Sequence, residues 1–224
     1  MTTRNNPTNW LAIIQGNTHQ RRGWFQGSRL ISQEILPSGS TVEWSGEIWG
    51  LSVAGTLPGR RITTADIPLQ DMYPGLGADR ALGLWAALHL WGSPVLLVDA
   101  GTALTFTAGV EGRFVGGAIL AGWQSQAKAL HELTQSLPLA TPRDPIPSRW
   151  ARDTLSAIDS GLTYGLRAVV QDFIQAWRQL YPHSQVVITG GDGERLGRGL
   201  GRLCPDLLLE GISLFRAQQI ANLR

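Results

Sequence analysis

The sequence predicts an α/β protein built from two copies of one unit with a cleft between them. Three observations lead there. Runs of β-branched and other apolar residues end in glycine turns at Trp10–Thr18 (WLAIIQGNT), Val95–Thr107 (VLLVDAGTALTFT) and Val186–Asp192 (VVITGGD). Between and after these runs lie stretches with the spacing of amphipathic helices. The order strand, polar glycine turn, hairpin strands, helix also recurs in each half without a strict sequence repeat. The boundary falls at about Trp91–Val95, giving expected domains of 1–92 and 93–224.

In the first half, Leu11–Ile14 is a β-rich run, and Arg22–Phe25 with Arg29–Ile35 continues a meander through Gly27-Ser28. Glu47–Ala54 alternates and then turns apolar, and Arg61–Thr64 is another short strand candidate. Ala78–Trp91 (ADRALGLWAALHLW) has helical periodicity, and Ser93-Pro94 punctuates it. Trp85 and Trp91 on that helix suggest a broad apolar face suited to a dimer contact.

In the second half, Val95–Asp99, Ala103–Val110 and Phe114–Leu120 read as strands, with a hairpin turn at Gly112-Arg113. Ser125–Thr134 reads as a helix. Pro138–Pro147 carries four prolines and must be a loop or crossing segment. Arg152–Tyr181 is a long helical region with candidate breaks at Gly161 or Gly165. Val186–Thr189 is a strand, and Leu207–Arg224 ends the chain as a helix.

Composition narrows the function classes. With 224 residues, 43% hydrophobic and only 16% charged, the chain can bury a real core and is not a disordered polymer. A net charge of +2 is too small to imply a nucleic-acid partner, and the arginine-rich tract Glu194–Arg202 reads as a solvated loop or helix face. Cys204 is the only cysteine, so no intrachain disulfide forms, and zinc-site spacings are absent. His19, His89, His131 and His183 stand apart from other ligand types and read as structural or surface residues. No apolar run is long enough to span a membrane. The N-terminal MTTRNNPTN is polar and reads as a frayed tail rather than a signal peptide, so a soluble cytoplasmic protein is expected.

The glycine turns carry the chemistry. A buried strand ending in Gly-Asn-Thr, Asp-x-Gly-Thr or Thr-Gly-Gly leaves backbone N–H groups free, and glycine lets them approach phosphate oxygens closely. Three in one chain, the central one with an aspartate, point to a nucleotide cleft. Each residue also has a plainer use. Gly16, Asn17 and Thr18 suit an ordinary hairpin turn. Asp79 suits a helix N-cap as well as a general base. Arg80 suits a surface position, Tyr73 a packing role, and Asp99 an Asx turn closing its strand. Gly190 and Gly191 suit a strand-to-helix turn, and Thr154 suits a cap or first turn.

Taken together, the motifs resemble the type III pantothenate kinases of the acetate-and-sugar-kinase, Hsp70 and actin superfamily, over nearly the whole chain. Leu76–Arg80 (LGADR) is similar to that family's G-x-D-R segment. Val98–Thr105 (VDAGTALT) resembles its V-D-x-G-T-A-x-T and leads into GRFVGGAILAGW, where Ala121 replaces the usual proline. Val187–Asp192 (VITGGD) is similar to T-G-G-D/N, and LLLEGISL resembles the family's tail. One departure stands out: the first turn usually reads D-x-G-N-T, and Ile14 occupies the aspartate position. An isoleucine cannot ligate a cation or orient water.

The resemblance implies two RNase H-like (actin-like ATPase) domains and ATP-dependent phosphorylation of pantothenate, the first step towards coenzyme A. It makes Asp79 the general base, and Tyr73, Gly77, Ala78 and Arg80 the substrate pocket. It places Thr154 against pantothenate across a homodimer interface, with Asp153 where asparagine is usual. It gives Gly16, Asn17, Thr18, Thr102, Gly190 and Gly191 to ATP. Mg²⁺ would accompany the triphosphate, and Asp99 would hold a monovalent cation, K⁺ or NH₄⁺. Ile14 motivates a different expectation, a catalytically weak relative acting as a regulatory or transcriptional accessory protein.

Overall fold

Strand β1 (Asn9–Gln15) is apolar over Trp10–Ile13, and those four residues are all 0–1% exposed. A strand buried on both faces has to sit inside a sheet. It does: β1 pairs antiparallel with β2 (His19–Gln26) and parallel with β4 (Glu47–Ser52). Strand β3 (Arg29–Pro37) lies outside β2, and the short β5 (Arg60–Arg61) lies outside β4. The sheet order is therefore β3-β2-β1-β4-β5. The computed structural model from which this comes describes residues 9–53 and 55–222, so the expected N-terminal tail up to residue 8 and Ala54 lie outside the described residues.

A second five-stranded sheet repeats the plan. Strand β6 (Val95–Ala100) is central, antiparallel to β7 (Ala103–Val110) and parallel to β9 (Gln185–Thr189). Strand β8 (Arg113–Ala121) forms one edge, and β10 (Arg202–Leu203) forms the other. Its order, β8-β7-β6-β9-β10, matches the first sheet strand for strand, with the same parallel and antiparallel relations. Duplication, read in the sequence only from the order of elements, is thus explicit in topology. The fold is a two-domain α/β fold.

The chain divides into two compact units: residues through Leu90 together with Asp206 onward, and Trp91–Pro205. A single cut between 92 and 93 misplaces the last helix, α5 (Leu207–Asn222). Its apolar residues Leu209, Ile212 and Phe215 are buried in the first unit. Phe215 meets the rings of Trp85 and Trp49 edge-on, at centroid distances of 6.0 and 6.3 Å. At Gly211 a Cβ would lie 3.1 Å from Ala86 Cβ, so the small residue is what lets α5 approach helix α1 (Ala78–Trp91). Arg216 on α5 pairs with Glu47 on β4 and lies 4.8 Å over the Trp10 ring. Trp85, expected on an exposed dimer face, is instead core of its own unit at 8% exposure, because α5 covers it.

In the second unit, α2 (Trp123–Leu133) and α3 (Thr154–Leu180) pack on the sheet around Leu96, Val98, Leu104, Phe106 and Ile188. Helix α3 runs unbroken for 27 residues through both Gly161 and Gly165. Each interior glycine costs about 1 kcal/mol relative to alanine. Against that stands a buried row at i, i+4 spacing: Ile158, Leu162, Leu166, Val170, Ile174. Burying one such side chain is worth about 1.5–3 kcal/mol, so the row wins. A short helix, α4 (Gly193–Gly197), follows β9.

Candidate active site

In the first unit, the Gly16–Thr18 turn joins β1 to β2. Gly16 N–H donates to His19 O at 2.9 Å, and Ser38 N–H donates to Thr18 O at 3.0 Å. Ser38 Oγ donates to Gly16 O at 2.6 Å. Behind the turn runs a buried polar ladder that the sequence reading missed. Gln20 Nε2 donates to Gln15 Oε1 at 2.6 Å, Gln15 Nε2 to Ser38 Oγ at 2.8 Å, and Arg22 Nε to Gln20 Oε1 at 2.6 Å. Gln15 and Gln20 face each other in the β1–β2 register, and that cross-strand pairing is the signal that could have found them. Asn17 is exposed at the tip of the turn. Ile14 points to the opposite face from Gln15, half-buried, opposite Arg21 and Leu51 on the neighbouring strands.

The LGADR segment opens helix α1. Thr64, in a 3₁₀ turn at Thr64–Asp66, donates its hydroxyl to Leu76 O at 2.9 Å and anchors the approach. Gly77 O accepts the first helical bond, from Ala81 N at 3.0 Å, so the helix begins at Ala78 and Asp79 lies inside its first turn. Asp79 Oδ1 accepts from Arg80 N–H at 2.8 Å. Asp79 therefore satisfies one free helix-start N–H from within the turn rather than from the N-cap position. Arg80, 8% exposed and no surface residue, donates to the Tyr73 hydroxyl at 2.9 Å. The structure thus brings Tyr73, Gly77, Ala78, Asp79 and Arg80 together.

In the second unit, the Gly190-Gly191 turn folds back on the end of β6. Gly190 has φ +89°, and a Cβ there would lie 2.4 Å from Ala100 O and 2.5 Å from Asp99 Oδ1. Only glycine fits. The turn is closed by Asp192 N–H donating to Ala100 O at 2.9 Å. Asp99 and Gly190, far apart in sequence, are therefore neighbours. Across the register from Asp99, the buried Thr105 hydroxyl has no hydrogen-bond partner among the described residues. The half-buried Asp99 carboxylate and, across the register, the Thr105 hydroxyl are oxygen donors of the kind that suits a hard cation. Among the described residues no three or more His, Cys, Asp or Glu side chains cluster as metal ligands.

Thr102 is exposed on the β6–β7 turn, and its carbonyl accepts from Gly122 N–H at 2.9 Å and Ser125 Oγ at 2.7 Å. Gly191 borders a cavity of about 490 Å³ shared with Asp192, Arg167, Arg195 and Arg198. Burial pushes the Asp192 carboxyl above its ordinary range, with Arg195 opposing. Thr154 is the exposed first residue of α3, and the cap is Asp153, whose carboxylate accepts from Ser156 N–H at 2.9 Å. That backbone bond holds the Asp153 carboxyl below the usual carboxylate range. Thr154 lines a second cavity of about 650 Å³ with Leu130, Leu137, Ile158 and Leu162.

The tract read as solvated is only partly so. Arg195 turns inward and pairs with Asp159, which is 0% exposed. The bond crosses 36 residues of sequence and leaves no periodic trace in either element. The histidines behave as read: His89 stacks on Trp85, and His131 Nδ1 sits 2.8 Å from Leu137 O.

A family model described as type III pantothenate kinase matches residues 61–176. The chain belongs to this family. A type III pantothenate kinase of Synechococcus sp. strain JA-2-3B'a(2-13) is 45% identical over 88% of this chain and 82% of its own length. That of Gloeobacter violaceus is 41% identical over 88% and 90%. Among solved structures, a Campylobacter jejuni protein assigned to the Baf family of transcriptional activators aligns with TM-score 0.68 and 19% identity, covering 94% of this chain and 99% of its own. An activator of 2-hydroxyisocaproyl-CoA dehydratase from Clostridium difficile aligns with TM-score 0.52 and 9% identity, covering 96% and 97%. At such identities these two likenesses speak for the fold alone. Among the described residues no helix is long and apolar enough to cross a membrane.

Proposed function

We propose that this kinase transfers the γ-phosphoryl group of ATP to the primary hydroxyl of pantothenate, giving 4'-phosphopantothenate, the first step towards coenzyme A. The observation that carries the reading is Asp79, one carboxylate oxygen bonded to the helix start at 2.8 Å. The other is left to accept the hydroxyl proton. Phosphoryl transfer asks little covalent chemistry of a protein; it needs a positioned acceptor and stabilised phosphate charge. Arg80 and Tyr73 hold the polar groups of pantothenate beside Asp79. The turn at Gly16, whose own N–H is spent on His19 O, presents the backbone N–H groups of Asn17 and Thr18 to phosphate oxygens, and Thr102 adds its hydroxyl. Gly190 and Gly191 let the adenosine lie against bare backbone.

Mg²⁺ travels with the triphosphate and offsets its charge. Asp99, with Thr105 beside it, holds a monovalent cation, K⁺ or NH₄⁺, that adds to this offset. Thr154 contacts pantothenate across a homodimer interface, in the cytoplasm. The test is ATP-dependent phosphorylation of pantothenate by the purified protein, with and without K⁺. Turnover well above background supports the reading. Ile14 favours a second reading, a catalytically weak regulatory relative; ADP or pantothenate binding with no turnover in either salt would establish that one instead.

A further inference from the structure

We propose that Arg195 is the positioning residue of the nucleotide turn, holding Gly190–Asp192 in place through helix α4. The inference rests on the reading of Gly190 and Gly191 as contacts to ATP and goes beyond it. Helix α4 has five residues and two backbone bonds at its ends, Leu196 N–H to Asp192 O at 2.9 Å and Arg198 N–H to Glu194 O at 3.1 Å. A helix this short does not hold its own geometry; tertiary contacts set it. It also opens directly from the turn, so whatever fixes α4 fixes the turn.

Leu196 buries α4 in the core of the unit, and Arg195 is the α4 side chain that ties it to α3. Its guanidinium pairs with the fully buried Asp159 on α3, meets Thr163 Oγ1 at 2.9 and 3.1 Å, and donates to Arg143 O at 2.6 Å. The partners are fixed in turn. Asp159 accepts from Thr163 Oγ1 at 2.9 Å and from Arg143 N–H at 3.0 Å, and Trp123 Nε1 bonds Thr163 Oγ1 at 3.0 Å. Arg167 adds a second tie from α3, donating to Arg195 O at 2.9 Å. Three acceptors in different directions require a planar fork of donors, which lysine lacks. Arg195 also borders the cavity beside Gly191, so a shift in its position is a shift in that wall.

The test is ADP affinity of the whole protein by calorimetry, with pantothenate affinity and thermal midpoint measured alongside. Arg195→Lys keeps the charge that Asp159 needs and removes the fork. Val170→Ala, in the same unit's core, supplies a comparable loss of stability with no tie to α4. Arg195→Met with Asp159→Asn removes the pair together, so that no charge is stranded. Arg195→Lys and the double variant should each weaken ADP binding about tenfold, a shift equal to one decade in Kd. Pantothenate affinity should stay within about twofold on the same scale, and Val170→Ala should leave ADP affinity unchanged. Unchanged ADP affinity in Arg195→Lys, or an equal loss in Val170→Ala, would overturn the inference and leave the nucleotide reading standing. A wild-type protein that bound no ADP would overturn both.

Discussion

Arg80 contributes twice to one corner of the first unit: its backbone N–H holds Asp79 Oδ1 at 2.8 Å, and its guanidinium holds the Tyr73 hydroxyl at 2.9 Å. Capping and catalysis compete for an aspartate at a helix start only when both carboxylate oxygens are taken. Here the helix takes Oδ1. A carboxylate fixed in this way does not have to be ordered when the alcohol arrives, which is how positioning lowers a barrier. Arg80→Lys should therefore act on substrate more than on fold. Lysine keeps the backbone bond and the charge but not the planar fork. We expect KM for pantothenate to rise about tenfold, the worth of one charge-assisted hydrogen bond, with the thermal midpoint nearly unchanged. Steady-state kinetics over pantothenate concentration measure this.

Gly190→Ala tests the contact between the third glycine turn and the end of β6. The backbone there is at φ +89°, and the added methyl would meet a carbonyl oxygen at 2.4 Å, with no flexible side-chain end to give way. A strained backbone position costs roughly 1–3 kcal/mol. For a chain of this size that lowers the thermal midpoint by about 2–12 °C, and nucleotide affinity should fall with it. Thermal unfolding with and without ADP reads both.

How much of this was legible in the chain depended on whether a feature was local. Helix α1 spans Ala78–Trp91 as read, because Leu82, Trp85, Ala86 and Leu88 repeat at helical spacing and Pro94 closes the segment. The β2–β3 meander was legible for a similarly local reason, two adjacent runs joined by the Gly27-Ser28 turn. The destination of α5 was not, because its partners Trp49 and Trp85 lie more than 100 residues upstream. Nor was the Asp159–Arg195 pair, since a buried arginine and a solvated one look alike in a basic tract. At the site, motif resemblance singled out Asp79, Asp99 and the glycines as candidates. That Gly190 touches Asp99, with Thr105 unsatisfied across the strand, is a product of sheet register and is visible only in three dimensions.

Asp192 gives a pH dependence with a definite sign. Burial raises its folded-state pKa above the ordinary 3.8, so the folded protein binds this proton more tightly than the unfolded chain. Stability from this group is therefore full below the unfolded value and declines as pH rises through the folded one. Asp192→Asn removes the ionisation. The variant should be more stable than wild type at pH 7, with its advantage shrinking as pH falls towards 4, the ordinary carboxylate range. Denaturant midpoints across that window measure it.

Ile14→Asp restores a carboxylate at the end of β1, half-buried and beside Arg21 in the strand register. Arginine nearby limits the cost of placing a charge there. If this position serves the metal and phosphates, the variant should bind Mg²⁺·ATP more tightly, by about tenfold for one added charge interaction. Titration with and without Mg²⁺ separates a metal effect from a general one. Unchanged affinity would mean that position 14 does not serve the metal or the phosphates.

The most direct measurement compares wild type with Asp79→Asn for ADP release that depends on both ATP and pantothenate. A positioned general base contributes about 10²–10⁴ to rate. Asparagine keeps the side chain's size and can still accept the Arg80 N–H through its amide oxygen. Wild type should turn over clearly and the variant should lose at least about 100-fold in kcat, with its thermal midpoint and ADP affinity preserved. A variant that kept most of its activity would contradict the assignment of Asp79 as the group that deprotonates the alcohol.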